Sequence, residues 1–238
     1  MSKYAVRGGH TELCPGASGL INELTEDRKV KDAVVKYLRL LGNEVLDVTP
    51  PVKYTTNATT DLAYGVDKAN NWGADYFISL HFNNAYTTYS GAIGSEVCVY
   101  NTFTEAQRVV NKLGDLGFKN RGQKVRPKLY ETRNTAMKAM IIEVCFVEAT
   151  DDVSLYKRLG PDAVGKAIAE ALTNKTVNLE KPKQDIYRVL VDGTHVGSYS
   201  VTSNILNQVK KAVANGSKEI KITKVWCNGY WKFSLQKI

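Results

Sequence analysis

The sequence contains few of the side chains that most often carry out chemistry near neutral pH. Only three histidines and four cysteines occur in 238 residues. The cysteines form neither a C-x-x-C pair nor a zinc-finger spacing, which argues against a redox motif or a cysteine-based zinc site. We predict reduced, buried thiols for Cys98 and Cys145, which lie in apolar strand-like segments. Cys145 as a nucleophile is the less favoured alternative, because its apolar neighbours would raise the pKa of the thiol.

Long hydrophobic runs are also missing. No apolar segment approaches the roughly 20 residues that a membrane-spanning helix needs, and the N-terminal segment leads into a strand pattern without the apolar core of a signal peptide. We therefore expect no membrane insertion, synthesis in the cytoplasm, and action on an extracellular target only after release by another agent. With 43% hydrophobic residues, the chain can bury the core of one full domain and a small second one.

Two of the three histidines end short apolar segments. His10 follows the segment 4–9, His81 follows the segment 74–80, and a third such segment, 137–142, ends in Glu143. In an open α/β sheet, ligands and chemistry collect beyond the carboxyl ends of the strands. Glu23, in the loop or first helical turn after His10, adds a second carboxylate. Two imidazoles and two carboxylates are enough to hold a catalytic zinc and leave one acid as a base.

Strand and helix patterns alternate over the first 174 residues. This alternation predicts a mostly parallel, twisted sheet with helices on both faces, an α/β fold. The predicted strands are 4–7, 44–48, 74–81, 95–100 and 137–143, and the predicted helices are 25–41, 61–72, 104–116 and 163–172. Residues 119–124 are predicted to form a basic loop.

The basic charge is concentrated in the C-terminal part of the chain. Residues 1–174 carry 21 Lys and Arg against 20 Asp and Glu, whereas residues 186–238 carry eight against two. We predict a domain over 1–174, a linker over 175–185 and a small α+β domain over 186–238, with a hairpin at Asp192-Gly193 that leaves His195 as a solvated turn residue. A domain whose charges nearly balance, joined to a strongly cationic one, suggests that the cationic domain brings the first domain to a polyanionic target.

Five short motifs now carry a resemblance to a known family. They are Arg7-Gly8-Gly9-His10, Leu20-Ile21-Asn22-Glu23, Ser79-Leu80-His81-Phe82-Asn83, Asn120-Arg121-Gly122 and Ile142-Glu143-Val144-Cys145-Phe146. Together they resemble the zinc-dependent N-acetylmuramoyl-L-alanine amidases of the Amidase_3 type, especially phage and prophage endolysins, over roughly residues 4–172. The resemblance implies one Zn²⁺ held by His10, Glu23 and His81, with Glu143 as the catalytic residue. It also implies cleavage of the amide between N-acetylmuramic acid and L-alanine in peptidoglycan.

The chain departs from the pattern of that family at two places. Thr11-Glu12 follow the first histidine, where many members have two glycines, so Glu12 is a rival metal ligand or a supporting partner. The segment Leu62-Ala63-Tyr64 lacks the arginine that many bacterial relatives carry. Asn83 and Arg121 are candidate substrate-binding residues, with a turn residue and a solvated loop charge as the respective alternatives.

The C-terminal segment resembles the small wall-binding tails of endolysins through its aromatic residues, Tyr187, Tyr199, Trp226, Tyr230, Trp231 and Phe233. The alternative is that at least half of these form its core. We expect peptidoglycan of a Gram-positive host as the partner, with anionic wall polymers as possible ligands of the tail, which could also mediate oligomerisation. No nucleic-acid recognition motif is present. The competing functions are a zinc peptidase or deacylase acting on another amide and a non-catalytic wall-binding protein.

Overall fold

A computed structural model describes residues 1–178, 186–200, 202–226 and 229–230. The chain divides into two compact units, Met1–Val177 and Asn178–Ile238. Most of the predicted linker, Cys227, Trp231 and Phe233 lie outside the described residues, as do the side chains of Trp226 and Tyr230. No helix in the described part of the chain has both the length and the apolar character needed to cross a membrane.

A six-stranded sheet forms the centre of the first unit. Its strands are β1 (Lys3–Gly8), β2 (Glu44–Asp47), β3 (Tyr76–Asn83), β4 (Ser95–Val99), β5 (Asn120–Val125) and β6 (Lys138–Phe146), arranged in the order β2-β1-β3-β6-β4-β5. All neighbouring pairs are parallel except β4 with β6. The predicted mostly parallel sheet is therefore confirmed.

Helices cover both faces of this sheet. They are α1 (Glu23–Leu40), α2 (Ala58–Trp72), α3 (Thr104–Asp115), α4 (Tyr130–Asn134) and α5 (Thr150–Thr173). Val30 and Val34 of α1 share one buried core with Ile78 and Leu80 of β3, whereas Phe77 belongs to a second core that includes residues of α2. Because side chains alternate along a strand, Ser79 and His81 lie on the same face as Phe77, towards α2.

The structure differs from the sequence-based predictions at three elements. The predicted basic loop 119–124 overlaps the edge strand β5, whose polar side chains are tolerated because an edge strand has a neighbour on one side only. The helix α4 was not predicted, because its five residues are too few to show a helical period. Finally, α5 begins at Thr150 and is broken at Gly160, where φ is 77°, whereas the prediction included the part after the break alone.

The second unit contains β7 (Ile186–Val191), β8 (Thr194–Tyr199), α6 (Thr202–Ala214), β9 (Ile220–Trp226) and β10 (Gly229–Tyr230). Its strands are antiparallel in the order β10-β9-β7-β8, which confirms the predicted small α+β fold. Asp192 and Gly193 both have positive φ and form the hairpin turn. The Asp192 carboxylate accepts hydrogen bonds from the backbone N–H groups of Lys218 and Glu219 and so holds the turn against the start of β9.

Candidate active site

His10 lies just beyond the carboxyl end of β1. The backbone N–H of Gly9 still donates to Leu80 of β3, and His10 itself adopts a left-handed conformation with φ of 56°. Arg28 of α1 donates to the His10 carbonyl at 2.8 Å and fixes this turn. The ring atom Nδ1 lies 3.3 Å from the carbonyl of Cys14, so Nε2 is the nitrogen that faces the rest of the site.

Glu23 is the first residue of α1 and its side chain is buried. The helix begins there because the Asn22 side chain accepts a hydrogen bond from the Thr25 N–H. Of the two carboxylate oxygens, Oε2 accepts from the backbone N–H of Ala17 at 2.6 Å and Oε1 from that of Phe82 at 3.0 Å. These two bonds hold the carboxylate at the end of the sheet.

His81 completes a group of three possible metal ligands. Glu23 Oε1 lies 3.2 Å from His10 Nε2 and 3.0 Å from His81 Nδ1. One ligand atom from each residue lies within 4.8 Å of the others, so the group could hold a metal ion. Two imidazoles and one carboxylate are a donor set typical of hydrolytic zinc sites.

Two glycines make room for this group. A Cβ at Gly9 would lie 2.3 Å from His81 Cε1, and a Cβ at Gly16 would lie 2.3 Å from Glu23 Oε2 and 2.5 Å from the His10 ring. Separations this short do not occur between real side chains. The backbone is therefore packed directly against the three candidate ligands, and the residues present fit a small bound ion rather than a bulky group.

The electrostatics of the metal-free group are those of an ion pair. Burial alone would raise the pKa of Glu23, but hydrogen bonds with His10 and His81 outweigh it and hold the pKa well below its usual range. Burial alone would lower the pKa of His81, but the hydrogen bond to Glu23 and the charges of Glu143 and Glu131 raise it to about 9. Without metal, a proton on His81 therefore neutralises the Glu23 carboxylate.

Glu143 lies beside His81 on the neighbouring strand, where the two residues are register partners of β6 and β3. Its Oε2 atom is buried and has no hydrogen-bond partner in the described part of the chain. Burial is the main reason that the pKa of Glu143 rises to about 7. His81 lowers this pKa, whereas the negative charges of Glu23 and Glu96 raise it. A carboxyl group with this pKa can accept and return a proton near neutral pH.

Two adjoining cavities open at this end of the sheet. The first, of about 310 Å³, is lined by His10, Glu23, His81 and Glu143 among others. The second, of about 410 Å³, shares Asn83, Asn84, Leu129 and Glu143 with the first and continues past Glu96, Arg121 and Arg126. The predicted metal ligands and Glu143 thus line one cleft, and both candidate substrate residues line its extension.

The two candidate substrate residues are joined through the buried carboxylate of Glu96. Arg121 Nε donates to Glu96 Oε2 at 2.8 Å, and Asn83 Nδ2 donates to Glu96 Oε1 at 3.3 Å. The Arg121 guanidinium also lies 5.1 Å from the centre of the Phe146 ring. Arg126 is a second, more exposed guanidinium, 3.5 Å from Glu96 Oε1. The cleft extension therefore contains two guanidinium groups, those of Arg121 and Arg126, beside the buried carboxylate of Glu96.

Other residues singled out in the sequence are not members of the metal-ligand group. The exposed Glu12 side chain pairs with Lys53 at 3.6 Å, and Leu62 forms part of the wall of the first cavity. Cys145 is buried, and burial raises the pKa of its thiol well above the usual value. The His195 side chain is exposed as predicted, but the residue lies in strand β8 of the second unit and not in the hairpin turn.

Sequence reasoning missed a buried network under His81. Arg7 is completely buried in β1, and its guanidinium contacts Asp61 at 2.6 Å and Glu131 at 3.0 Å. Glu131, on α4, also lines the first cavity. One signal was available: an arginine inside an apolar strand requires a buried acidic partner. The sequence could not say which acid, because the contacts link positions 54 or more residues apart.

Comparison with known proteins agrees with this geometry. A model of the Amidase_3 family, described as N-acetylmuramoyl-L-alanine amidase, matches residues 5–174. An uncharacterised protein of Clostridium perfringens strain 13 is 46% identical over 180 residues, which make up 74% of this chain and 52% of that protein. This chain therefore spans about half the length of that relative.

Two further similarities are to a protein named as an amidase and to a solved endolysin domain. The N-acetylmuramoyl-L-alanine amidase CwlM of Bacillus licheniformis is 28% identical over 225 residues, or 91% of this chain and 83% of CwlM. Among solved structures, the catalytic domain of the CD27L endolysin, which targets Clostridia difficile, is 29% identical with a TM-score of 0.69. That match covers 75% of this chain and 100% of the solved domain.

Proposed function

Because the chain belongs to the Amidase_3 family of N-acetylmuramoyl-L-alanine amidases, we propose that it hydrolyses the amide bond between N-acetylmuramic acid and L-alanine in peptidoglycan. The observation that carries this proposal is the cluster of His10, Glu23 and His81 beside Glu143 in one cleft. Three ligands and a neighbouring acid are what hydrolysis of an unactivated amide by a metal enzyme requires.

In this proposal, His10, Glu23 and His81 hold one Zn²⁺. When bound, zinc supplies Lewis-acid polarisation of the amide carbonyl and lowers the pKa of water. The protein prepares the site for the ion in two ways. Backbone N–H groups of Ala17 and Phe82 fix both oxygens of Glu23, and the glycines at positions 9 and 16 let the chain close around the ligands.

Glu143 is the acid and base of the proposed reaction. It takes a proton from the attacking water and returns it to the nitrogen of the leaving L-alanine, so that the amine departs uncharged. Its raised pKa of about 7 suits both directions of transfer, and its side chain lines the same cleft as the three ligands. A hydrogen-bonded or fully ionised carboxylate would perform the return step less well.

The cleft extension provides a place for the substrate beyond the scissile bond. Asn83 offers an amide for hydrogen bonding to a glycan or peptide group, and Arg121 offers a guanidinium to a carboxylate of the peptide stem. Glu96 holds both side chains in place from below. A peptide stem rich in carboxylates matches this polarity.

We assign the chain a role in lysis as an endolysin of a phage or prophage of a Gram-positive host, acting at the cell wall after release. The likeness to an endolysin catalytic domain supports this role. The second unit serves as the wall-binding domain, and its exposed basic residues, among them Lys210, Lys211 and Lys218, support an attraction to anionic wall polymers.

Mass analysis of digested peptidoglycan tests the catalytic proposal. The full chain with zinc should release stem peptides that begin with a free L-alanine amino group and leave intact glycan strands. Glu143→Gln is the matched inactive control, and Glu12→Gln, a nearby exposed glutamate, should remain active. New reducing sugar ends or cut cross-bridges, without free L-alanine termini, would instead indicate a glycosidase or a peptidase.

Sedimentation with purified walls tests the role of the second unit. Replacing Lys210 and Lys211 by glutamate should reduce wall binding by the full chain at low salt, and wild-type binding should weaken as salt rises. The same change at Lys157 and Arg158, an exposed basic pair on α5, is the matched control and should leave binding nearly unchanged. Equal binding by all three proteins would remove the charge-based attraction from the proposal.

A further inference from the structure

We infer that Glu131 is a positioning residue that acts through Ser79 to hold the His81 ring, so that His81 binds the metal through Nδ1 and keeps its proton on Nε2. This inference rests on the proposed metal binding by His81. It concerns which ring atom is the ligand and what fixes that choice, and the metal-ligand cluster alone does not determine either.

The two nitrogens of the His81 ring have different surroundings. Nδ1 faces the other candidate ligands and lies 3.0 Å from Glu23 Oε1. Nε2 points away from them, 3.1 Å from Ser79 Oγ and 3.8 Å from Glu131 Oε2. The neutral ring of a metal-binding histidine has one nitrogen free for the metal and one that carries hydrogen, and the hydrogen-bond partner decides which is which.

Ser79 connects Glu131 to the His81 ring through two hydrogen bonds. The Ser79 hydroxyl donates its hydrogen to Glu131 Oε1 at 3.2 Å. The lone pairs of the Ser79 oxygen are therefore free to accept a hydrogen bond from another group. Nε2–H of His81 can then donate to that oxygen at 3.1 Å. A carboxylate cannot donate, so the chain of hydrogen bonds has one consistent direction: from His81 to Ser79 to Glu131.

Glu131 is itself held from the far side. Its Oε1 atom contacts an Arg7 nitrogen at 3.0 Å, and the same guanidinium bonds to the Asp61 carboxylate at 2.6 Å and to the Asp61 carbonyl at 3.1 Å. The side chains of Arg7, Asp61 and Glu131 are all buried. A Cβ at Gly65 would lie 3.1 Å from Arg7 Cδ. The missing side chain at this position of α2 therefore leaves room for the Arg7 side chain.

The charges of this network explain why it is directed at His81. Two buried carboxylates, those of Asp61 and Glu131, face one guanidinium, so the network carries one uncompensated negative charge. His81 is the cationic or metal-binding group beside that charge. A carboxylate behind a ligating imidazole makes the ring a better donor to the metal and fixes its orientation.

Nuclear magnetic resonance of the full chain tests the choice of ring atom. With nitrogen-15 histidine and cadmium-113 in place of zinc, only three histidines give signals, and His195 in the second unit is an internal reference. The metal should couple to Nε2 of His10 and Nδ1 of His81, and His81 Nε2 should carry a hydrogen. Coupling through His81 Nε2 would overturn this inference and leave the proposed function intact, whereas no coupling to either histidine would overturn both.

Metal affinity of variants tests the role of Glu131. Glu131→Gln should weaken zinc binding roughly 10- to 100-fold, measured by competition with a chelator, while Glu12→Gln should bind as the wild type does. Ser79→Ala keeps the pair between Arg7 and Glu131 and should show a smaller loss with a faster-exchanging Nε2 hydrogen on His81. Circular dichroism identifies a misfolded variant. If Glu131→Gln misfolds, the exchange rate of the His81 Nε2 hydrogen in Ser79→Ala decides whether the hydrogen bonds through Ser79 hold the ring. Wild-type affinity in folded Glu131→Gln would overturn the positioning role.

Discussion

Glu23 and Glu143 lie in one cleft, yet their surroundings make them opposite kinds of acid. Glu23 is buried, and Glu143 is half-buried with a buried Oε2 atom. Loss of contact with water by itself raises the pKa of a carboxyl group. Glu23 has four hydrogen-bond or ion-pair partners, two backbone N–H groups and two imidazoles, and its pKa is held well below the usual range. Glu143 has a buried oxygen with no hydrogen-bond partner among the described residues, and its pKa is raised to about 7.

This difference assigns a role to each residue. A carboxylate that stays ionised and immobile suits a metal ligand, because no proton competes with the ion at that oxygen. A carboxyl group that titrates near neutral pH suits proton transfer. Residue type does not distinguish the two glutamates, and position along the chain does so only in part. Hydrogen-bond partners and the loss of solvation distinguish them.

Removing a ligand should have the largest effect. His81→Ala should reduce bound zinc from about one per chain to a small fraction of that and abolish hydrolysis, because two remaining ligands hold the ion poorly. Glu23→Gln should behave similarly, since an amide oxygen carries no charge. Elemental analysis after gel filtration gives the metal content, with Glu12→Gln as the matched control. Stoichiometric zinc in His81→Ala would remove His81 from the ligand set.

Removing the base should leave the metal in place. Glu143→Gln is expected to lower the rate of stem-peptide release by about 10² to 10⁴, the usual contribution of general base catalysis, with unchanged zinc content. Cys145→Ser should retain activity, because the Cys145 thiol is buried with a raised pKa. Turnover near that of the wild type in the metal-loaded Glu143→Gln variant would transfer the role of base to another residue.

Zinc binding should compete with a proton on His81. The pKa of His81 in the metal-free protein is raised to about 9, and only the neutral ring binds metal, so apparent affinity should fall about tenfold for each pH unit below 9. Calorimetry in buffers of different ionisation enthalpy at pH 7.5 should detect the release of about one proton. In Glu143→Gln, one negative charge is gone, and the pH at which affinity levels off should move down. Affinity independent of pH between 6 and 8 would contradict this picture.

The sequence predicted the sheet and much of the cleft for one physical reason. His10, His81 and Glu143 each follow an apolar segment, and parallel strands bring such positions to one edge. Periodicity and composition are local signals, and these three positions can be located from local signals. The fold confirms the mostly parallel sheet, in which His81 and Glu143 are direct register partners.

The parts that could not be predicted depend on distant contacts. Glu131 lies on a five-residue helix without a usable period, and its partner Arg7 is more than a hundred positions earlier in the chain. The strand β5 has a polar sequence because it lies at the edge of the sheet, and that location is a property of the assembled fold. The pKa difference between Glu23 and Glu143 likewise follows from burial and partners.

Asp27 extends the comparison to a third acid and to the smallest expected effect. It lies one helical turn after Glu23, is completely buried, and neither carboxylate oxygen has a hydrogen-bond partner among the described residues. Burial is the main reason that the pKa of Asp27 rises to about 8, and the charge of Glu23 also raises it. His81, Arg28 and Arg7 lower this pKa by smaller amounts than burial raises it. The folded protein therefore holds a proton that the unfolded chain loses above pH 3.8.

The sign of the stability change follows from this raised pKa. The contribution of Asp27 to stability is fully present below pH 3.8 and is lost as the pH rises to about 8. Asp27→Asn keeps the shape of the neutral acid without its titration. It should therefore stabilise the zinc-free protein by a few kcal/mol more at pH 8 than at pH 5, on the order of 1.4 kcal/mol per pH unit at most. Urea unfolding at both pH values measures this difference, with Asp67→Asn, an exposed aspartate of α2, as the control. An equal effect of Asp27→Asn at the two pH values would mean that Asp27 is ionised in the fold, and burial without partners would then not explain the contrast between Glu23 and Glu143.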